Sequence, residues 1–184
     1  MLGKVVEETG RLVDGVTPDQ LGNKTPCVEW TVRDLINHVT GGATMFALCA
    51  EKGSVPDEEM GRLMGGDNLG DDFQGAFHAA ASKAMAAYQQ PGIMEKVVKL
   101  PFGEMPAGVA LNIAIFDVAT HACDLAVATG QPVPNAEMLA TTLQIGRQMV
   151  GPELRQPGMF DPEQTPADSA GPADQLLAFA GRRV

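Results

Sequence analysis

Residues 109–128 constrain this chain more than any other stretch. They are almost wholly apolar, their only charges are Asp117 and Asp124, and His121 lies between the two. Leu111, Ile115, Val118, Ala122 and Leu125 recur at helical spacing and make one stripe, while Ala110, Ala114, Asp117, His121 and Ala128 fall on an adjoining face. A helix this apolar is buried over most of its surface, in protein or in lipid. Two carboxylates near its middle would be costly in lipid, so the pattern predicts the core helix of a globular bundle and a poor membrane span.

Burial then poses an electrostatic problem. An ionised carboxylate withdrawn from water needs a partner, and this helix carries no Lys or Arg. Asp117 and His121 stand at i and i+4, so their side chains leave the helix on one side. Asp-x-x-x-His is a competent pair of metal ligands, and a cation is an economical partner for a buried acid. His38, midway along another predicted helix and at the margin of its apolar stripe, is the candidate third ligand. Two imidazoles and one carboxylate would leave coordination positions open, the mark of a catalytic rather than a structural site. The residues alone admit a plainer account as well. His121 could pair with Asp117 as an ordinary i,i+4 couple, and His38 could be a hydrogen-bonded core residue. Asp124 reads as structural or solvated before it reads as a partner for His121, because a backbone carbonyl often serves a ligating histidine.

The other candidates carry less chemistry. His78 is predicted at the surface of an Ala-rich helix, and Trp30 is expected to staple the helix that follows it. Cys27 precedes that same helix, where a thiol pKa can fall. The ten methionines are scattered and suit gaps in a core. There is no G-x-S-x-G, and the Gly-rich residues 61–70 lack the Lys-Ser/Thr of a phosphate loop.

Periodicity predicts further helices over residues 2–16, from Thr31 onward with its hydroxyl as a cap and Asp34 three residues on, over 71–89, from Asn135 to about 151, and over 173–181. The apolar core helix itself is expected to start near Pro106 and stop at Gly130. Gly41-Gly42 predicts a kink or a close approach in the second helix. Residues 52–72 read as a mobile loop, 95–100 as a short β-like connector, and 152–172 as irregular and Pro-rich. With no internal repeat, one domain over residues 1–184 is expected. A net charge of −10 disfavours nucleic acid and membrane surfaces as partners. Cys27, Cys49 and Cys123 are odd in number and lack C-x-x-C spacing, and residues 1–15 hold no signal-like apolar run, so a reducing cytoplasm is the expected compartment.

Three motifs together have a familiar pattern. They are Thr25-Pro26-Cys27-Val28-Glu29-Trp30 with Val32-Arg33-Asp34-Leu35 and Asn37-His38, then Asp117-Val118-Ala119-Thr120-His121 with Asp124-Leu125-Ala126 and Ala128-Thr129-Gly130-Gln131, and finally Leu176-Leu177-Ala178-Phe179-Ala180-Gly181-Arg182. The chain resembles, over nearly its whole length, the actinobacterial DinB/YfiT-like metal-binding family of the mycothiol-dependent maleylpyruvate isomerase group. The resemblance implies an all-α, antiparallel four-helix bundle with extra short helices and long connections. It also implies one divalent metal, zinc foremost with nickel in the wider superfamily, held by His38, Asp117 and His121. Relatives of assigned activity are thiol-dependent transferases or isomerases that act with mycothiol or bacillithiol on small electrophiles. Catalytic and cofactor-binding residues are not assigned by the pattern. Residues 52–72 and 152–172 are expected to wall the pocket, and a homodimer is left open. Two positions depart from the family pattern, Cys123 where Trp is frequent and Thr31 where Asp is frequent. The second domain of the isomerase itself is expected to be missing. A metal-binding or sensing module without turnover, and a helical interaction protein with a vestigial site, remain as alternatives.

Overall fold

The computed structural model describes residues 1–155 and 160–183. The described residues form seven α-helices and one β-hairpin: α1 (Leu2–Asp14), α2 (Val32–Lys52), α3 (Asp57–Gly65), α4 (Phe73–Tyr88), β1 (Val97–Leu100), β2 (Gly103–Pro106), α5 (Ala107–Thr129), α6 (Ala136–Met149) and α7 (Pro172–Phe179). They group into two compact units. One comprises Met1, Gly3–Arg33 and Ile115–Val184, and the other Leu2 and Asp34–Ala114, so the unit boundaries fall inside α2 and α5.

In the first unit, α1 buries Val5, Leu12 and Val13 on one stripe. The turn after it is tied to the C-terminal end of α5, where Gln20 Nε2 donates to Thr129 O at 3.2 Å and Asn23 Nδ2 donates to Ala128 O at 3.1 Å. These bonds satisfy carbonyls that the helix end leaves without an internal partner, and Gly130 at φ +66° ends the helix as expected. Asn135 caps α6 through a 3.1 Å bond from Met138 N–H. Packed on α6 is α7, with Leu176, Leu177 and Phe179 buried and Phe179 meeting Phe116 edge-on at 5.9 Å. The stretch expected to be irregular holds a short 3-10 turn at Pro152–Leu154, and residues 156–159 of it lie outside those described.

The second unit has an apolar core that includes Phe46, Leu48, Tyr88, Val98, Leu100 and Ala110. The expected loop over residues 52–72 is corrected here, because α3 occupies Asp57–Gly65. Three acids, Asp57, Glu58 and Glu59, stand in its first turn, where the helix dipole favours negative charge, and Leu63 is its buried anchor. The β-like connector becomes a two-stranded antiparallel hairpin with Val97 opposite Pro106 and Leu100 opposite Gly103. Alternation puts Val98 and Leu100 in the core and Val97 and Lys99 outside. α2 runs unbroken through the glycine pair, and the expected close approach is present at Gly41. A Cβ at Gly41 would collide with the carbonyl oxygen of Leu63 and the side chain of Asn68.

Candidate metal centre

The second half of α5 is buried almost continuously, and it carries its polar groups inward. Thr120 satisfies its hydroxyl within the helix by donating to Phe116 O at 2.7 Å. His121 is 5% exposed and Asp124 is wholly buried. The imidazole Nδ1 lies 3.0 Å from Asp124 Oδ2, and Nε2 lies 3.5 Å from Asp117 Oδ1. The Asp117 side chain is 30% exposed, so this second flank opens further toward solvent than the first.

Asp124 is anchored in turn. Arg182, from the tail after α7, places Nη2 3.2 Å from Asp124 Oδ2 and Nε 3.4 Å from Oδ1, a fork on both carboxylate oxygens. Of the readings open for Asp124, structural, solvated or partner of His121, only the solvated one is corrected: it is wholly buried against His121 Nδ1, and its own charge is offset by Arg182. Trp30 closes another side of the imidazole, with ring centroids 5.3 Å apart and planes tilted by 30°. A tight loop delivers the indole. Trp30 N–H donates to Cys27 O at 2.8 Å, and Thr25 Oγ1 donates to Trp30 O at 3.0 Å. Trp30 thus packs on a candidate ligand, a contact that the local staple pattern does not reveal.

Burial alone would strip the second proton from His121. The hydrogen bonds and charges of Asp117 and Asp124 outweigh it and hold the imidazole pKa up at about 9. The same two carboxylates that retain a proton would favour a metal cation in its place. With Nδ1 bonded to Asp124, Nε2 would be the nitrogen offered to a cation, on the side where Asp117 has an oxygen. A carboxylate behind a ligating histidine is the usual support of such sites. The donor chemistry and the orientation fit a divalent cation, and Asp117 with His121 forms a candidate metal site.

The remaining residues sort plainly. His38 belongs to the second unit, half-buried on α2. Beside it, Asn37 Nδ2 donates to Gly66 O at 2.9 Å and Asn37 Oδ1 accepts from Asn68 N–H at 2.7 Å, which ties this turn of α2 to the segment after α3. His78 is exposed, as predicted. Cys27 is not an activated thiol: burial pushes it up, and Asp124, Asp117 and Glu29 add to that rise against a lowering from Arg182. Sequence reasoning missed the roles of Arg182 and Trp30, although both residues stand inside the quoted motifs.

An oriented histidine beside a carboxylate, on a buried helix of a mostly helical scaffold, defines the class: a helical protein with a candidate His/Asp metal site. The chain belongs to a particular family within it. The model for the mycothiol maleylpyruvate isomerase N-terminal domain matches residues 2–126. Two relatives from Mycobacterium tuberculosis, the uncharacterized proteins Rv0738 (strain H37Rv) and MT0763 (strain CDC 1551), are each 41% identical over 175 residues, covering 94% of this chain and 91% of theirs. Solved structures of mycothiol-dependent maleylpyruvate isomerase and of a histidine-to-alanine variant match with a TM-score of 0.60 at 18% identity, over 77% of this chain and 64% of theirs. Identity at that level speaks to fold, which is DinB-like and all-α. This chain spans less than two thirds of the solved isomerase's length.

Proposed function

We propose that His38, Asp117 and His121 bind one divalent cation and that the chain uses it to activate a low-molecular-weight thiol, mycothiol by the family's name, against a small electrophile. Each of the three residues offers one ligand atom, giving two imidazole nitrogens and one carboxylate oxygen. That donor set suits zinc, with nickel as the alternative, and leaves positions free for a substrate. The observation that carries the proposal is the clamped His121, whose Nδ1 is taken by buried Asp124 at 3.0 Å so that Nε2 is committed outward.

A bound cation would supply Lewis acidity that lowers the pKa of a thiol presented to it. The rest of the work belongs to the chain. Asp124 fixes the imidazole, Trp30 shields one of its sides, and Asp117 contributes both charge and an oxygen. All three cysteines are held up as thiols by burial, Cys123 to about 12, so the attacking sulfur comes from outside the chain. In an isomerase the external thiolate would add to one carbon of an activated C=C bond, whose π pair moves onto the adjoining carbonyl, and would be expelled as the double bond re-forms after rotation; in a transferase the adduct would be protonated or lose a leaving group and keep the sulfur. Cytoplasmic residence accords with three free cysteines.

The test pairs elemental analysis with turnover. Protein purified without chelator should carry about one divalent metal per chain and should convert a maleylpyruvate-like electrophile only when mycothiol is added. Metal without mycothiol-dependent turnover would leave a binding module, and a metal-free protein that takes up none on addition would sink the proposal.

A further inference from the structure

We infer that Arg182 is a positioning residue for metal binding, acting on His121 through Asp124; this rests on the metal proposal above. The arginine lies 58 residues beyond Asp124 in the chain and outside residues 2–126, the span that the family model matches.

The argument begins with Asp124. Both of its oxygens are used, Oδ2 by His121 Nδ1 and Arg182 Nη2, and Oδ1 by Arg182 Nε. Once His121 serves as a neutral metal ligand, a wholly buried Asp124 carboxylate without the guanidinium would be an uncompensated charge, which is costly. The guanidinium removes that cost, and its planar fork sets the plane of the carboxylate. The carboxylate plane in turn sets the imidazole rotamer, and hence the direction of the Nε2 lone pair.

Arg182 is itself held in place. Its Nη1 donates to Ala180 O at 3.0 Å, and its backbone N–H donates to Leu177 O at 2.9 Å. Gly181, at φ +88°, makes the left-handed turn that ends α7 and donates to Ala178 O at 3.0 Å. No larger residue fits there, because a Cβ would stand 2.7 Å from Asp161 Cβ and 2.8 Å from its carbonyl oxygen. The end of α7 therefore presents the guanidinium to Asp124 in a preset pose, and the metal site is preorganised by a residue that touches neither metal nor substrate.

The test is a metal titration of the metal-free full chain, with zinc in competition with a chromogenic chelator, for the wild type, Asp124→Asn, Arg182→Gln, Arg182→Lys and the Asp124→Asn/Arg182→Gln double variant. Loss of a group that orients a ligand weakens metal binding by about 10–100-fold. Asp124→Asn should fall in that range, Arg182→Gln at its lower end, and Arg182→Lys between Gln and wild type, since the charge survives and the fork does not. The double variant should bind no more weakly than Asp124→Asn alone, because the arginine works through the aspartate. The downfield Nδ1–H proton resonance of His121 should persist in the wild type and broaden in Arg182→Gln. A merely structural role would move neither this signal nor the non-additivity. Wild-type zinc affinity in Arg182→Gln, or additive losses in the double variant, would overturn the inference. Should Arg182→Gln not fold, Arg182→Lys decides it on the same readouts. A wild-type chain that binds no zinc refutes the metal proposal and this inference together, a result visible before any variant is made.

Discussion

The two nitrogens of His121 face opposite kinds of surroundings. On the Nδ1 side everything is closed: Asp124 is 0% exposed and holds both the imidazole and the Arg182 guanidinium. On the Nε2 side Asp117 is 30% exposed and stands at 3.5 Å, a longer contact than the 3.0 Å of Asp124. Two aspartates on one helix, one turn to either side of the same histidine, thus sit in different electrostatic states. The inner one is wholly buried and held by a guanidinium fork, and the outer one is partly open to solvent. Satisfied buried networks rigidify, whereas a carboxylate at a partly solvent-open edge is within reach of a ligand from outside. The closed flank is support, and under the metal proposal the open flank is the working edge.

The largest test of that contrast is loss of metal. His121→Ala and Asp117→Ala should each take metal content from about one per chain to near zero, as should His38→Ala. Asp124→Asn should keep the site loadable at higher metal concentration. Elemental analysis after dialysis against a series of metal concentrations separates the two cases, and equal loss in Asp117→Ala and Asp124→Asn would erase the distinction between the flanks.

Stability should run the other way. Removing Asp124 strands a largely buried guanidinium, and breaking a buried pair in this manner costs about 3–5 kcal/mol. Removing Asp117 from its partly solvated position should cost no more than about 1 kcal/mol. Urea unfolding of metal-free Asp124→Ala and Asp117→Ala gives the order directly, and a reversed order would mean that the closed flank is not the structural one.

The open flank was legible in the sequence, whereas the closed one was not. An acid and a histidine at i and i+4 on an otherwise apolar helix announce themselves through charge alone, and the ends of that helix follow from Pro106 and Gly130. Asp124 announces only a burial problem. Its answer, Arg182, is a single residue 58 positions away with no periodicity to mark it, so the aspartate reads as structural or solvated until the tail is placed. Trp30 is similar, since a staple is a local pattern and the contact with His121 is tertiary. Elsewhere, α3 is masked by Gly61, Gly65 and Gly66, glycines that read as loop although three acids at its first turn and buried Leu63 sustain a helix. The partner of β1 was hidden because β2, Gly103–Pro106, contains both residue types that weaken a strand signal.

Proton competition at Nε2 sharpens the comparison further. Metal-free His121 is held at about 9, and a metal ligand must be unprotonated. Each metal bound below pH 9 therefore releases a proton, and affinity should rise about tenfold per pH unit from pH 6.5 to 9 and level off above. Chelator competition at fixed ionic strength measures the slope. A flat profile across this range would mean that Nε2 carries no proton to displace and that Asp117 does not face it in solution.

The smallest effect is on folding, and its sign depends on the metal. The folded pKa of His121 is raised above its unfolded value near 6.5, so the native metal-free state binds more proton than the unfolded chain between the two values. Stability from this group is then fully present below pH 6.5 and is lost as pH rises through about 9, at no more than about 1.4 kcal/mol per unit. In the metal-loaded protein the imidazole would be a neutral ligand, the native state would hold no extra proton there, and the decline should vanish. Asp117→Asn should flatten the metal-free decline by removing one of the two carboxylates that hold the proton, while the closed flank keeps the rest. Urea midpoints at pH 6, 7.5 and 9, with and without zinc, discriminate these cases. A decline of equal slope in both forms would place the titrating group somewhere other than between the two aspartates.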